Sequence, residues 1–286
     1  MNRRSFLRLT GAVTAGAFSQ RVWAWAPGVR KATDVVLLGP DKVKLTRMAI
    51  GTGTKGGSIQ RQLGIPGLAD MLHFGYDQGL FFWDTADSYR THPHVKQALT
   101  QVPREKVTIL TKTSARTADA MKADLDRFRQ ELGTDYLDIV LLHALRTPDA
   151  LTQRQGAMDI LAEARAKGIV RTHGCSCHSL EALQAAVKTP GVRVVLARIN
   201  PASIMMDGDP KTITGVLRDL KSAGKGVIGM KILGEGALAN RKDEALRYAM
   251  SLDCLDCFTI GPANRGELSD LVARIPAADA GLKAAA

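Results

Sequence analysis

The chain has 286 residues, of which 45% are hydrophobic, 23% charged and 5% aromatic. That balance excludes a disordered chain, a collagen-like repeat and a disulfide scaffold, and the length suits one large domain or two small ones. The formal charge is +11, but Arg3, Arg4, Arg8 and Arg21 lie in the first 26 residues with no acid among them, which leaves +7 for the rest. With no run of lysines or arginines and few aromatics to stack bases, this excess fits an anionic ligand or cofactor and speaks against nucleic acid.

Residues 2–9 read Asn-Arg-Arg-Ser-Phe-Leu-Arg-Leu and lead into the weakly apolar stretch Thr10–Phe18. The paired arginines followed by Phe6-Leu7 resemble a twin-arginine export signal, assigned here to residues 1–26. The apolar stretch falls short of the roughly 20 residues that a membrane span needs, so no stable membrane anchor is expected. Ala24-Trp25-Ala26 offers a small-x-small cleavage site, but Pro27 follows, and cutting after Ala24 or after Ala26 both stay open. The alternative is a retained basic N-terminus. On the export reading the partner is the twin-arginine machinery and the destination is the periplasm or the exterior. The domain then folds before transport, in a reducing compartment, and needs no disulfide.

After a short hairpin, Val35–Leu38 and Val43–Leu45 around Gly39-Pro40-Asp41, the chain alternates short apolar runs with longer helical segments. The strands are expected at Arg47–Ile50, Leu80–Thr85, Val107–Thr113, Asp138–His143, Val170–Ser176, Val194–Asn200, Gly226–Leu233 and Cys257–Gly261. Between them, Ala118–Leu132 places Met121, Leu125, Phe128 and Leu132 on one helical face, Ala157–Lys167 stops at Gly168, and Pro210–Ala223 stops at Gly224. Eight strand-helix units in about 235 residues predict a (β/α)8 barrel of the TIM type, with the hairpin closing its floor. A doubly wound open sheet is the runner-up. It would place a glycine-rich fingerprint after the first strand, and Gly51-Thr52-Gly53 is too short for one.

In such a barrel the chemistry sits at the C-terminal strand ends. Phe81-Phe-Trp-Asp84 ends in a carboxylate, with Tyr89 in the loop that follows; Ile109-Leu-Thr-Lys112 ends in an amine, and Ile139-Val-Leu-Leu-His143 in an imidazole. Each has a structural explanation taken singly: a helix cap, a surface phenol, a snorkelling amine, a satisfied core histidine. Together, on the same ends of three consecutive strands, they point to proton transfer onto a carbonyl oxygen. A phenol with an ordinary pKa of about 10 needs help to act as the acid, and Lys112, held by Asp84, would stabilise its anion and lower that pKa. His143 would orient the substrate oxygen.

Phe82-Trp-Asp-Thr-Ala-Asp-Ser-Tyr89, Val95-Lys-Gln-Ala-Leu99, Thr111-Lys-Thr113, Leu132–His143 and Ala166-Lys-Gly-Ile-Val-Arg171, leading into Gly174-Cys-Ser176, resemble the aldo-keto reductase superfamily. The resemblance runs from about residue 47 to 268 and implies reduction of a small-molecule aldehyde or ketone by a nicotinamide cofactor, NADP(H) or else NAD(H), in a monomer. It makes Asp84, Tyr89, Lys112 and His143 the catalytic tetrad, with Tyr89 as proton donor. It implies cofactor contacts at Thr52, Ser176 and Asn200, and a pyrophosphate loop at Leu233, Gly234 and Gly236. Cys177 stands where an asparagine is usual, Leu196 where a glutamine is, and Met230 where an aromatic stacks on the nicotinamide. After the last strand only Arg265, with Lys231, is available for a 2′-phosphate. His92 and His94 replace smaller residues, and are expected either at the substrate mouth or exposed at a helix start.

Cys175 and Cys177, and Cys254 and Cys257, with His173 and His178 nearby, suggest a metal site. The barrel puts the first pair at the top of strand five and the second at the bottom of strand eight, so no shared metal site is expected. Two other functions stay open: a Schiff-base lyase using Lys112 or Lys231, and a slow nucleotide-binding redox sensor.

Overall fold

The computed structural model describes residues 28–284, and the segment read as an export signal lies outside them. Strands β1 (Val35–Leu38) and β2 (Val43–Thr46) pair antiparallel as the hairpin. Eight further strands follow: β3 (Met48–Gly51), β4 (Phe82–Asp84), β5 (Thr108–Thr113), β6 (Leu137–Leu145), β7 (Val170–Cys177), β8 (Val194–Arg198), β9 (Gly226–Met230) and β10 (Cys257–Ile260). They close into a parallel barrel in which β10 pairs back to β3. Around it run α1 (Ser58–Arg61), α2 (Gly64–Asp77), α3 (His92–Leu99), α4 (Ala118–Leu132), α5 (Ala150–Gln153), α6 (Gln155–Ala166), α7 (Leu180–Lys188), α8 (Pro210–Ser222), α9 (Lys242–Ser251) and α10 (Arg265–Ala284). This is the (β/α)8 barrel with an N-terminal hairpin that the sequence predicts.

Local chemistry sets the boundaries. The Thr117 side chain accepts from the Ala120 amide to start α4, and Gly133, in the left-handed region, ends it. Asp209 caps α8 by accepting from the Lys211 and Thr212 amides, with Pro210 at the first helical position. Strand β9 is shorter than the apolar run implies, because Lys231 takes φ +61° and turns the chain out of the sheet just after Met230.

A strand's period of two divides the barrel into an inside and an outside. Ala49, Phe82, Leu110, Ile139, Leu141, Val194, Leu196, Ile228, Met230 and Cys257 fill the interior. Their neighbours, among them Ile50, Trp83, Ile109, Val140, Cys175, Val195 and Phe258, face the helices. Leu38, Val43 and Leu45 of the hairpin join the interior cluster at the N-terminal end. There Asp41 ties the hairpin to the barrel through Arg193, Arg165 and Thr172, and Thr108 donates to the Lys44 carbonyl at 2.6 Å. The floor is closed as expected. Gly174 permits the close approach of β7 to β8, since a Cβ there would lie 1.8 Å from the Val194 carbonyl oxygen.

Candidate active site

With the floor plugged, the open end of the barrel is the C-terminal one, and the same parity decides which side chains reach it. Phe82 points inward, so Asp84 does; Leu110 inward carries Lys112 inward; Ile139 and Leu141 carry His143. The Lys112 ammonium is buried, bonded to the Asp84 carboxylate, and also donates to the Thr85 carbonyl at 2.8 Å. The other Asp84 oxygen accepts from the Thr259 hydroxyl at 2.9 Å. Thr259 lies on β10, and in the sequence a hydroxyl in an apolar run carries no signal.

Tyr89 ends a short 3-10 turn, Asp87–Tyr89, with Arg90 in the left-handed region behind it. The Lys112 nitrogen lies 4.8 Å from the centre of the Tyr89 ring, and the His143 ring meets that ring edge-on at 5.6 Å between centroids. The four residues expected to act together therefore share one rim. Gly53 makes room for the phenol: a Cβ at this position would lie 2.4 Å from the ring Cζ. Arg61 holds the Tyr89 carbonyl at 2.5 Å.

Helix α4 braces the rim from outside. Arg127 grips Asp87 with both nitrogens, at 2.8 and 3.0 Å, and also bonds Asp124 at 2.7 Å and Glu131 at 2.9 Å. Asp124 accepts from Thr113, while Glu131 bonds His92 at 2.7 Å, whose other nitrogen meets Thr111 at 2.8 Å. Thr111 and Thr113 flank Lys112, so one helix face fixes the turn carrying the phenol relative to the strand carrying the amine. His92 and His94 are buried, which corrects the expectation that they are exposed at a helix start. His92 packs edge-on against Phe128 inside this brace.

The electrostatics refine the expected acid. Burial pushes the Tyr89 phenol above its ordinary value; Lys112 pulls the other way but does not prevail, and Asp84 adds to the rise. The expectation of a lowered phenol pKa is thus corrected, since desolvation of the phenolate outweighs one cation already neutralised by its own carboxylate. Burial alone would depress Lys112, but Asp84 and Tyr89 hold it above its ordinary value. His143 is pushed down to about 3 by burial, with Lys112, His178, Arg154 and Arg146 adding to the fall, so it is neutral near pH 7. Its Nδ1 meets Ser88 Oγ at 3.3 Å, and Nε2 has no protein partner among the described residues.

The expected cofactor residues divide. Ser176 faces the mouth beside His143. Its oxygen accepts at 2.8 Å from the amide of Ala144, which kinks β6 at φ +55°, and its own proton has no acceptor among the described residues. Met230 faces the interior from β9, two strands away, and is paired in register with Arg198 of β8. Lys231 is ion-paired with Glu235 in the turn Gly234–Gly236 that follows Leu233. Thr52 is fully buried and its hydroxyl bonds the Asp84 carbonyl at 3.1 Å and Thr91 at 2.8 Å. The Asn200 amide is fully engaged between its own loop and the end of β9, donating to the Ile204 and Lys231 carbonyls and accepting from the Ala202 and Ile204 amides. Arg265 is half exposed at the start of α10, paired with Asp70 and stacked on Phe74.

Cys177 is not at the mouth. Parity turns it outward beside Cys175, with their sulfurs 3.8 Å apart in the layer beneath the helices. All four cysteines are free and buried; Cys254 faces the helices and Cys257 the barrel interior, so these two do not meet. No group of three or more metal-ligating side chains occurs among the described residues. The structure brings in His178 instead, its ring 6.2 Å from that of His143, and Arg198, the inward residue above Leu196.

Residues 47–263 match the pattern of the Aldo/keto reductase family. The chain belongs to this family. It is similar to an NADPH-dependent alpha-keto amide reductase of Saccharomyces cerevisiae, 27% identical over 139 residues, covering 46% of this chain and 44% of that protein. An NADH-specific methylglyoxal reductase of Escherichia coli is 26% identical over 168 residues, 49% of this chain and 50% of that one. The chain thus spans about half the length of these curated relatives. In fold it resembles a Pseudomonas aeruginosa protein provisionally assigned as an aldo-keto reductase, with a TM-score of 0.73 and 20% identity over 87% of this chain and 97% of that one.

Proposed function

We propose that this aldo-keto reductase family member reduces an aldehyde or ketone to the alcohol with NAD(P)H, and that Tyr89 is the proton donor. The observation that carries the reading is the Lys112 ammonium, locked by Asp84 and lying 4.8 Å from the Tyr89 ring centre. The residues present fit a nicotinamide: Ser176 offers a hydroxyl proton at the mouth end of β7, Met230 faces the interior from β9, and Lys231, just after β9, is paired with Glu235 of the Gly234–Gly236 turn. The bound, reduced nicotinamide supplies the hydride.

The chain's own residues do the rest. Neutral His143 presents its free nitrogen to the carbonyl oxygen and orients it. As that oxygen gains negative charge, Tyr89, protonated at neutral pH, passes it a proton. The Lys112 ammonium stabilises the phenolate left behind, and Thr259 and Asp84 keep that ammonium in place. An amine held above its ordinary pKa by a carboxylate is the opposite of what Schiff-base chemistry needs, which disfavours the lyase reading. NADP(H) is the cofactor we favour, on the two cations Lys231 and Arg265, with NAD(H) as the alternative because each is already paired to an acid.

The same proposal includes export of a folded monomer by the twin-arginine route to the periplasm, supported by the paired arginines at Arg3-Arg4. The test is Tyr89→Phe. Carbonyl turnover is expected to fall at least 100-fold with cofactor affinity kept, and full turnover in that variant overturns the proton-donor assignment.

A further inference from the structure

The mouth carries more cationic donor capacity than the tetrad uses. Arg198 is the top inward residue of β8, two positions beyond the interior Leu196 and beside Met230 of β9. One of its terminal nitrogens donates to Asp207 at 3.1 Å, while its Nε is buried without a hydrogen-bond partner among the described residues. Asp207 is a poor match for it: burial keeps that carboxylate above its ordinary pKa, although Arg198 pulls it down. His178 Nδ1 is likewise buried and unpartnered. Buried donors without acceptors are rare in native proteins and mark a place where an acceptor is missing.

The field at these groups has one sign. Burial lowers His178 to about 3, and the charges that lower it further are Arg198, Arg146, Lys231 and Lys112. The charges acting on His143 have the same sign. Neither imidazole is protonated near neutral pH, so the positive charge at these groups comes from fixed side chains. A planar guanidinium with free donors is the side chain suited to a carboxylate.

We propose that the carbonyl substrate is a short oxo acid, and that Arg198, with His178, receives its carboxylate while Tyr89 and His143 hold its carbonyl oxygen. This rests on the reductase reading for the position of the carbonyl. The edge-on sequence of rings, Tyr89 to His143 to His178, sets the order in which substrate atoms lie along the rim: reacting oxygen first, carboxylate beyond it. Leu196, on the same face one step below Arg198, adds no polar partner to Asp207.

The experiment compares paired substrates of one carbon skeleton, each a 2-oxo acid and its 2-oxo amide. The wild type is expected to prefer the acid, and Arg198→Gln to lower the acid-to-amide ratio of kcat/KM by about 10- to 100-fold. The double variant Arg198→Gln/Asp207→Asn removes both charges, so that no carboxylate is left buried alone if the single variant folds poorly. Calorimetry with oxamate, a carboxylate that is not reduced, is the second measurement: binding to the wild type and a matching loss in Arg198→Gln are expected. A wild type that reduces acid and amide equally overturns the proposal and leaves the reductase reading standing. A wild type that binds oxamate through Arg198 but reduces neither member of any pair nor any aldehyde or ketone in a broad panel keeps the carboxylate site and removes the reductase reading. If Arg198→Gln weakens NAD(P)H binding while the acid-to-amide ratio is unchanged, the guanidinium serves a cofactor phosphate and the proposal fails.

Discussion

Gly53 gives the sharpest test of whether the placement of the phenol, and not merely its presence, matters. An alanine Cβ would lie 2.3 Å from Cε2 and 2.4 Å from Cζ of the Tyr89 ring. Carbon atoms in good contact are about 3.5 Å apart, so the ring must retreat by about 1 Å or the loop must open by as much. Gly53 is not among the glycines with positive φ, so the substitution carries no backbone penalty and its cost falls on this contact. Overpacking of that kind costs about 1–3 kcal/mol of stability. A displacement of about 1 Å at a reacting group costs about 100-fold in rate. Gly53→Ala is therefore expected to lower kcat/KM for carbonyl reduction about 100-fold while thermal unfolding still shows a folded protein. Steady-state kinetics on Gly53→Ala, Tyr89→Phe and the double variant check it: the double variant should be little worse than Tyr89→Phe, because both changes remove the same proton donor. Wild-type turnover in Gly53→Ala, or losses that simply multiply in the double variant, would refute the reasoning.

The pH profile follows from the two rings: with the phenol above its ordinary value and His143 neutral down to about 3, kcat/KM for reduction should be flat from about pH 5 to 9 and fall only above about 10. An alkaline limb centred near neutrality would contradict this. At the floor, burial opposes ionisation of Asp41, but Arg193, Thr172 and Arg165 hold its carboxyl below the ordinary range. A depressed carboxylate contributes stability above its unfolded value of about 4 and loses it as pH falls through the folded one. Asp41→Asn should accordingly destabilise the protein by about 1–3 kcal/mol at pH 7, with the gap to wild type closing below about pH 4 in urea titrations; a gap independent of pH would count against the ion-pair role. Cys177→Ala, in the outer layer, should leave the NAD(P)H dissociation constant within about twofold of wild type, and a tenfold loss by fluorescence titration would return this residue to the mouth.

The eight strand runs, the α4 face of Met121, Leu125, Phe128 and Leu132, and the shared rim of Asp84, Lys112 and His143 were legible in the sequence, because periodicity and the polar ends of apolar strands are local properties. The placement of Cys177 was partly legible too: it follows Ser176 on a strand, and neighbours on a strand cannot both face the mouth. Family resemblance put it among the cofactor contacts against that local rule. Gly53 and Thr259 gave no local signal, since their roles are to leave space for Tyr89 and to bond Asp84.

The order of elements, the inward face of each strand and the residues ending it belong to the sequence alone, set by steric limits on each residue and by the alternation of side chains along a strand. Closing the sheet decided everything that depends on distance between strands far apart in the chain. It buried His92 in the brace of α4, joined β10 to Asp84, and set His178 beside His143. It also reversed the expected direction of the Tyr89 shift, because the cost of desolvating a charge depends on all that surrounds it, and only the assembled barrel supplies that surrounding.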